Sequence, residues 1–119
     1  MTALVPAREP EDLTRLFLER ANAGDVEGLV ALYEPEAVVD RGDGTLAVGT
    51  DAIRRFFVEI LADRPHFTPG VTAPVLRSGD LALTSTRLDD GSTTAEVARR
   101  QPDGTWRWAI DQPTIARGG

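Results

Sequence analysis

The groups in this sequence with the chemistry to move a proton are a few carboxylates and one imidazole. Asp111 follows the alternating indoles Trp106 and Trp108, Glu96 lies upstream in a similar alternation of charged and apolar residues, and Asp40 closes the apolar run Ala37-Val38-Val39. An acid on a sheet face needs a reason, and general acid/base work at a ligand is one. The only histidine, His66, sits in Arg64-Pro65-His66-Phe67, and its imidazole is a further acid/base candidate at a pocket edge. Other chemistries lack their residues. Without cysteine there is no thiolate, disulfide or sulfur-ligated metal, and a lone histidine makes a poor zinc or iron site. Asp40 to Asp51 has glycines where a calcium loop needs oxygen ligands. The serines at 78, 85 and 92 have no nucleophile elbow around them, and Gly42-Asp43-Gly44 is too short and acidic to cradle phosphate. No metal and no cofactor is expected.

The elements that must position these groups follow from hydrophobic period. Pro10, the acids Glu9, Glu11 and Asp12, and the stripe Leu13, Leu16, Phe17, Ala21 predict a first helix. Asn22-Ala23-Gly24-Asp25 stops it and caps a second, in which Val26, Leu29, Val30 and Tyr33 continue the period until Glu34-Pro35. A short strand over 37–40 and a glycine turn lead into Thr45-Leu46-Ala47-Val48. Gly49-Thr50-Asp51 then caps a third helix carrying Ile53, Phe56, Phe57, Ile60 and Leu61. From His66 the period changes to two, which predicts strands near 67–77, 80–88, 92–101 and 105–114, separated by Ser78-Gly79-Asp80, Asp89-Asp90-Gly91 and Pro102-Asp103-Gly104. Helices first and antiparallel strands afterwards make an α+β fold with the helices on one sheet face.

At 119 residues, 41% hydrophobic and 27% charged, the chain has the size and composition of a single domain over 1–119, with residues 1–9 expected to form a poorly ordered tail. Its net charge of −6, with basic residues scattered, argues against nucleic acid as a partner. No apolar run approaches a membrane span, and Met1 to Pro10 lacks the pattern of a secretory leader. No membrane partner and a cytoplasmic location are the expectations.

Asn22-Ala23-Gly24-Asp25 with the helix after it, Gly49-Thr50-Asp51-Ala52-Ile53-Arg54-Arg55-Phe56-Phe57, Gly79-Asp80-Leu81-Ala82-Leu83 and Arg99-Arg100-Gln101-Pro102-Asp103-Gly104-Thr105-Trp106-Arg107-Trp108 together resemble the nuclear transport factor 2-like (NTF2-like) superfamily. The resemblance is to its ketosteroid isomerase-like and SnoaL-like polyketide cyclase branch, and it spans roughly residues 10 to 114. It implies a cone of three N-terminal helices on a curved, mostly antiparallel mixed sheet, with a pocket between the layers. The scaffold hosts isomerases, cyclases, epoxide hydrolases and non-catalytic binding domains, so fold alone does not choose an activity.

Carried onto this sequence, the tyrosine of the steroid isomerases falls on Phe17 and their proton-shuttling aspartate on Arg41. Neither can do that work, since a phenyl ring donates no hydrogen bond and a guanidinium stays protonated. Asp40 is the available substitute, although a step of one residue turns a strand side chain to the other face. The family's late-strand acid maps to Glu96, and Asp111 resembles the strand aspartate of limonene-epoxide-hydrolase-like members. Strict alternation separates Asp111 from Trp106 and Trp108. With Asp111 inward, the indoles face outward as a homodimer surface; the converse arrangement puts them on the cavity wall.

These readings converge on an expected small hydrophobic ligand, with Asp111, Asp40 and Glu96 as candidate catalytic acids and Phe17, Phe57, Leu61 and His66 as candidate substrate contacts. The activity to expect is cofactor-independent isomerisation, cyclisation or hydrolysis. The alternative is a non-catalytic ligand-binding or dimeric assembly module.

Overall fold

Each helix is placed by the cap and stripe that its sequence supplies. In the computed structural model, which describes residues 4–118, helix α1 runs Glu11–Asn22 with Glu11 and Asp12 in its first turn and Leu13, Leu16 and Ala21 buried. Helix α2 is one short stretch, Val26–Val30, whose N-cap Asp25 accepts a hydrogen bond from the Gly28 amide at 2.9 Å. A β-carbon at Gly28 would stand 2.2 Å from the Asp25 carboxylate, so this cap requires glycine there. Helix α3, Thr50–Leu61, buries Ile53, Phe57 and Leu61 on one stripe.

The strands are β1 Tyr33–Asp40, β2 Leu46–Val48, β3 Val71–Thr72, β4 Leu76–Ser78, β5 Leu81–Thr84, β6 Thr86–Arg87, β7 Thr93–Arg100 and β8 Trp106–Ala116. Their order is β2-β1-β8-β7-β5-β4, with β6 beside β7 and β3 paired to β6. Among the described residues only the β1–β8 pairing is parallel. The helices cover one face of this mixed sheet, and the core lies between them: Leu13, Leu16, Leu29, Leu32, Ile53 and Phe57 meet Val39, Ala82, Ala98, Trp106 and Trp108. The α+β expectation holds. No helix among the described residues is long and apolar enough to cross a membrane.

Three local expectations change. Tyr33 does not continue α2. The helix stops at Val30, the carbonyl of Leu32 accepts the Trp108 amide at 2.8 Å, and Tyr33 opens β1 beside β8, consistent with the extended backbone favoured just before Pro35. The predicted strand over 67–77 is reduced to β3 and β4, since Pro69 and Pro74 remove ladder donors. The stretch 80–88 divides at Ser85, whose hydroxyl donates to the Thr94 carbonyl while the Thr86 amide donates to the Thr94 hydroxyl.

The N-terminal segment also departs from the tail expected over 1–9. Ala7 is buried, its carbonyl accepts the Trp106 amide at 2.8 Å, and the Arg20 guanidinium donates to the Val5 carbonyl. Residues 1–3 lie outside the described residues.

Candidate functional site

One irregularity in β8 decides the composition of the site. Val97 pairs with Ile110, but the next residue of β7, Ala98, pairs with Trp108, so β8 carries one extra residue at Ala109. Such a β-bulge resets the two-residue alternation of a strand. Trp106 and Trp108 consequently share the helix-facing side with Asp111, three positions on, while Ile110 points outward and is half exposed. Both indoles are only 3% exposed, which corrects the expectation that they form an outward-facing dimer surface. Trp106 is closed over by Ala7 and by the guanidinium groups of Arg77 and Arg100, each 5.7 Å from its ring.

Downstream of the bulge, register sets a row of side chains across the inner face. Thr84 of β5 pairs with Glu96 of β7, Glu96 with Asp111 of β8, and Asp111 with Val39 of β1. Directly opposed residues in neighbouring strands have β-carbons about 4.5–5.5 Å apart, so the two acids are immediate neighbours. Each has a donor of its own. The Tyr33 hydroxyl donates to Asp111 Oδ2 at 2.6 Å, and the Thr84 hydroxyl donates to Glu96 Oε1 at 2.6 Å while accepting the Trp108 indole N–H at 3.2 Å.

Burial governs the charge state of the pair. Removal from water raises the Asp111 carboxyl to about 7, the neighbouring Glu96 raises it further within that total, and the Tyr33 hydrogen bond works in the opposite direction. Glu96 is raised as well, chiefly by burial, against hydrogen bonds from Thr84 and Thr94. The Tyr33 phenol is pushed upward by burial and then by the Asp111 charge, so it remains a donor.

The acids open on a cavity of about 550 Å³ between helices and sheet. Its wall includes Phe17 from α1, Phe56, Phe57 and Leu61 from α3, Phe67 from the loop after α3, and Trp108. Phe17 is the hub of this wall, with edge contacts to Phe57, Trp108 and Phe67 at 5.9, 6.0 and 6.5 Å between centroids. A largely apolar hollow with two convergent acids is the usual form of a small-molecule site.

A family model for the SnoaL-like domain matches residues 14–118. The chain belongs to the SnoaL-like family. Among solved structures, the SnoaL-like chain is similar to a ketosteroid isomerase-like protein from Erwinia carotovora atroseptica, at 19% identity over 89% of this chain and 93% of that one, with a TM-score of 0.71. It is also similar to a protein from Thiobacillus denitrificans assigned as a calcium/calmodulin-dependent protein kinase type II association domain, at 16% identity over 93% and 96% of the two chains and a TM-score of 0.74. A third is an NTF2-like protein from Novosphingobium aromaticivorans, at 21% identity over 85% and 75% with a TM-score of 0.63. At these identities the likeness is one of fold, and the family match over residues 14–118 carries the membership. No curated protein matches the sequence.

Of the acids singled out from sequence, the SnoaL-like fold brings Asp111 and Glu96 together and leaves Asp40 out. Val39 is the inward residue of β1, so Asp40 falls on the other face, where its Oδ1 accepts the Gly42 amide at 2.8 Å. Phe17, Phe57 and Leu61 line the cavity as expected, whereas His66 is exposed and does not. Sequence reasoning missed Tyr33, Thr84 and Phe67. Pro35 constrains only Glu34 directly before it, so no local signal marked Tyr33 as a strand residue. Thr84 shares the inner strand face with Ala82 and is indistinguishable from a structural threonine without the pairing register. Among the described residues no three His, Asp or Glu side chains form a metal-holding group.

Proposed function

We propose that this SnoaL-like domain encloses a small apolar molecule and moves a proton on it through Asp111, with Glu96 as the second carboxyl and Tyr33 as the donor that steadies Asp111. The observation that carries this reading is the direct opposition of Asp111 and Glu96 on β7 and β8, both buried and both lining an otherwise mainly apolar cavity. Two adjacent carboxyls removed from water resist ionising together, so near neutral pH the pair offers one O–H to give and one carboxylate to receive. In a keto–enol shift the O–H protonates the carbonyl oxygen while the carboxylate takes a proton from the adjacent carbon. The proton balance closes and the two acids exchange roles. Enol-dependent cyclisation and epoxide opening make the same demand on the pair.

Phe17 and Arg41 lack the groups that a steroid-type isomerase uses at those positions. The phenol in this site comes instead from Tyr33 on β1, which touches the acid rather than the cavity wall. Turnover of a panel of apolar ketones, β-diketones and epoxides by the wild type and by Asp111→Asn tests the proposal. The variant is expected to keep its circular dichroism spectrum and lose about 10²-fold or more in rate. Equal rates in a folded variant would remove Asp111 from the chemistry.

We further propose a second copy of the chain as partner, seated on the outer sheet face. Register aligns Leu76, Leu83, Val97, Ile110, Val38 and Val48 in one apolar row across β4, β5, β7, β8, β1 and β2. Four of the six are at least 45% exposed in the protomer: Leu76, Leu83, Ile110 and Val48. Arg99 and Arg107 lie beside the row toward one end of the strands and Asp40 toward the other, so a two-fold packing of two such faces can oppose unlike charges.

A further inference from the structure

The charges and donors around the cavity are one-sided. Its floor carries Asp111 and Glu96, and its rim carries Glu11. Among the described residues the only basic side chain in the lining is Arg15, which is exposed and already paired with Asp12 and Glu19 at 3.3 and 3.4 Å. From α3 come only Phe56, Phe57, Ile60 and Leu61, and His66 does not reach the wall. No salt bridge among the described residues engages either buried acid. Buried carboxylates without a cation are costly, and a cation brought by a ligand would relieve that cost.

Hydrogen bonding leads to the same chemistry. The hydroxyls of Tyr33 and Thr84 donate to the two acids, and the Trp108 N–H is spent on Thr84. Carboxylate oxygens accept, so what the pair lacks is further donors, and an ammonium group offers three. The wall above them is Phe17, Phe57, Phe67 and Trp108, whose π faces attract a cation.

We infer that the ligand taken by this cavity is an apolar amine, its ammonium group set against Asp111 and Glu96 and its hydrocarbon body against the aromatic wall. The inference rests on the reading of this cavity as a ligand site, and it adds a class of ligand, molecules with a basic nitrogen, beside the substrates of the acid/base reaction. Among molecules of one skeleton the site prefers the amine to the alcohol and rejects the carboxylate. An amine seated there also occupies the proton-transfer pair, so it competes with any substrate of the acid/base reaction.

The positive charge of the ammonium favours the ionised form of Asp111, so binding near pH 7 releases part of the proton that the pair still holds. The groups that face Asp111 are Tyr33 from β1 and Glu96 from β7, with Glu11 and Arg15 at the rim on α1. Of these, Asp111 titrates at about 7, and burial raises Glu96 in the same direction.

Calorimetric titration with naphthylmethylamine, naphthylmethanol and naphthoate tests the inference. At about pH 8 the amine is expected to bind at least about tenfold more tightly than the alcohol, with the carboxylate weakest. That advantage should shrink about tenfold toward pH 6, since a carboxyl titrating near 7 passes from about nine-tenths to about one-tenth ionised. Near pH 7 the amine enthalpy should depend on the ionisation enthalpy of the buffer. Asp111→Asn should retain alcohol binding and lose the amine preference, and Glu96→Gln should weaken that preference if the first variant does not fold. An alcohol that binds as well as the amine, with no pH slope, overturns the amine assignment and leaves the cavity reading standing. Failure of all three probes overturns the ligand site itself.

Discussion

Tyr33 and Asp111, 78 positions apart in sequence, meet in a buried 2.6 Å hydrogen bond across the parallel β1–β8 pairing. The bond favours the ionised acid, and it offsets part of the upward push that burial and Glu96 exert. Tyr33→Phe keeps the ring in the core and removes only the hydroxyl. The Asp111 carboxyl should then titrate above its present value near 7, and the fold should lose about 1–2 kcal/mol. A carboxyl-carbon NMR titration and a urea melt measure the two effects. An unchanged titration would separate the phenol from the acid.

Asp111 also ties stability to pH. Its pKa is raised by folding from an ordinary carboxyl value of 3.8 to about 7, so between those values the folded state holds a proton that the unfolded chain releases. The sign is fixed by that difference: its contribution to stability is intact below about pH 4, is lost progressively as pH rises, and is gone above about 7. At ~1.4 kcal/mol per pH unit the loss is on the order of 4 kcal/mol, and Glu96 adds to it with the same sign. Asp111→Asn should therefore be more stable than the wild type at about pH 8 and nearly matched to it near pH 4. Thermal melts across that range check the divergence, and a parallel pair of curves would contradict it.

Much of this arrangement was legible in the sequence, because periodicity and turn residues are local signals. The stripe Ile53, Phe57, Leu61 sets the buried face of α3, the Pro102-Asp103-Gly104 hairpin joins β7 to β8, and together they put Asp111 and Glu96 on the sheet beneath the helices. What was not legible depends on pairing. Alternation separates Trp108 from Asp111, and only the extra residue opposite Val97 and Ala98 reunites them. No residue type marks that bulge, since Ala109 is as acceptable in a regular strand as in an irregular one. Tyr33 illustrates the complementary difficulty: its spacing from Val26, Leu29 and Val30 fits a helix, but the hydrogen bond from Trp108 to Leu32 draws the chain into the sheet. Tertiary pairing outweighed a local pattern in both places.

The outer face makes a separate prediction. Leu83 and Ile110 are about half exposed in the protomer and flank Val97 in the apolar row. Replacing both by lysine removes no core contact, so stability should change by less than about 1 kcal/mol while a self-associated form dissociates to monomers. Light scattering coupled to size exclusion measures the mass of each. A doubly substituted chain with the same dimer mass would move the interface elsewhere, and a monomeric wild type would remove it.

Deletion of Ala109 asks whether the bulge or the pairing register holds the acid in place. Without the extra residue Trp108 and Asp111 stand two positions apart, so a regular β8 keeps both on the inner face, with Ala98 opposite Trp108 and Val97 opposite Ile110 as before. Trp106 and Trp108 are almost wholly buried and each removes ~150–250 Å² from water, so they hold the strand in that orientation and Asp111 with it. Tryptophan emission should stay blue-shifted, and the titration near pH 7 and ligand binding should both persist. If the titration disappears in a folded deletion variant, the local geometry of the bulge, and not register alone, positions Asp111 against Tyr33.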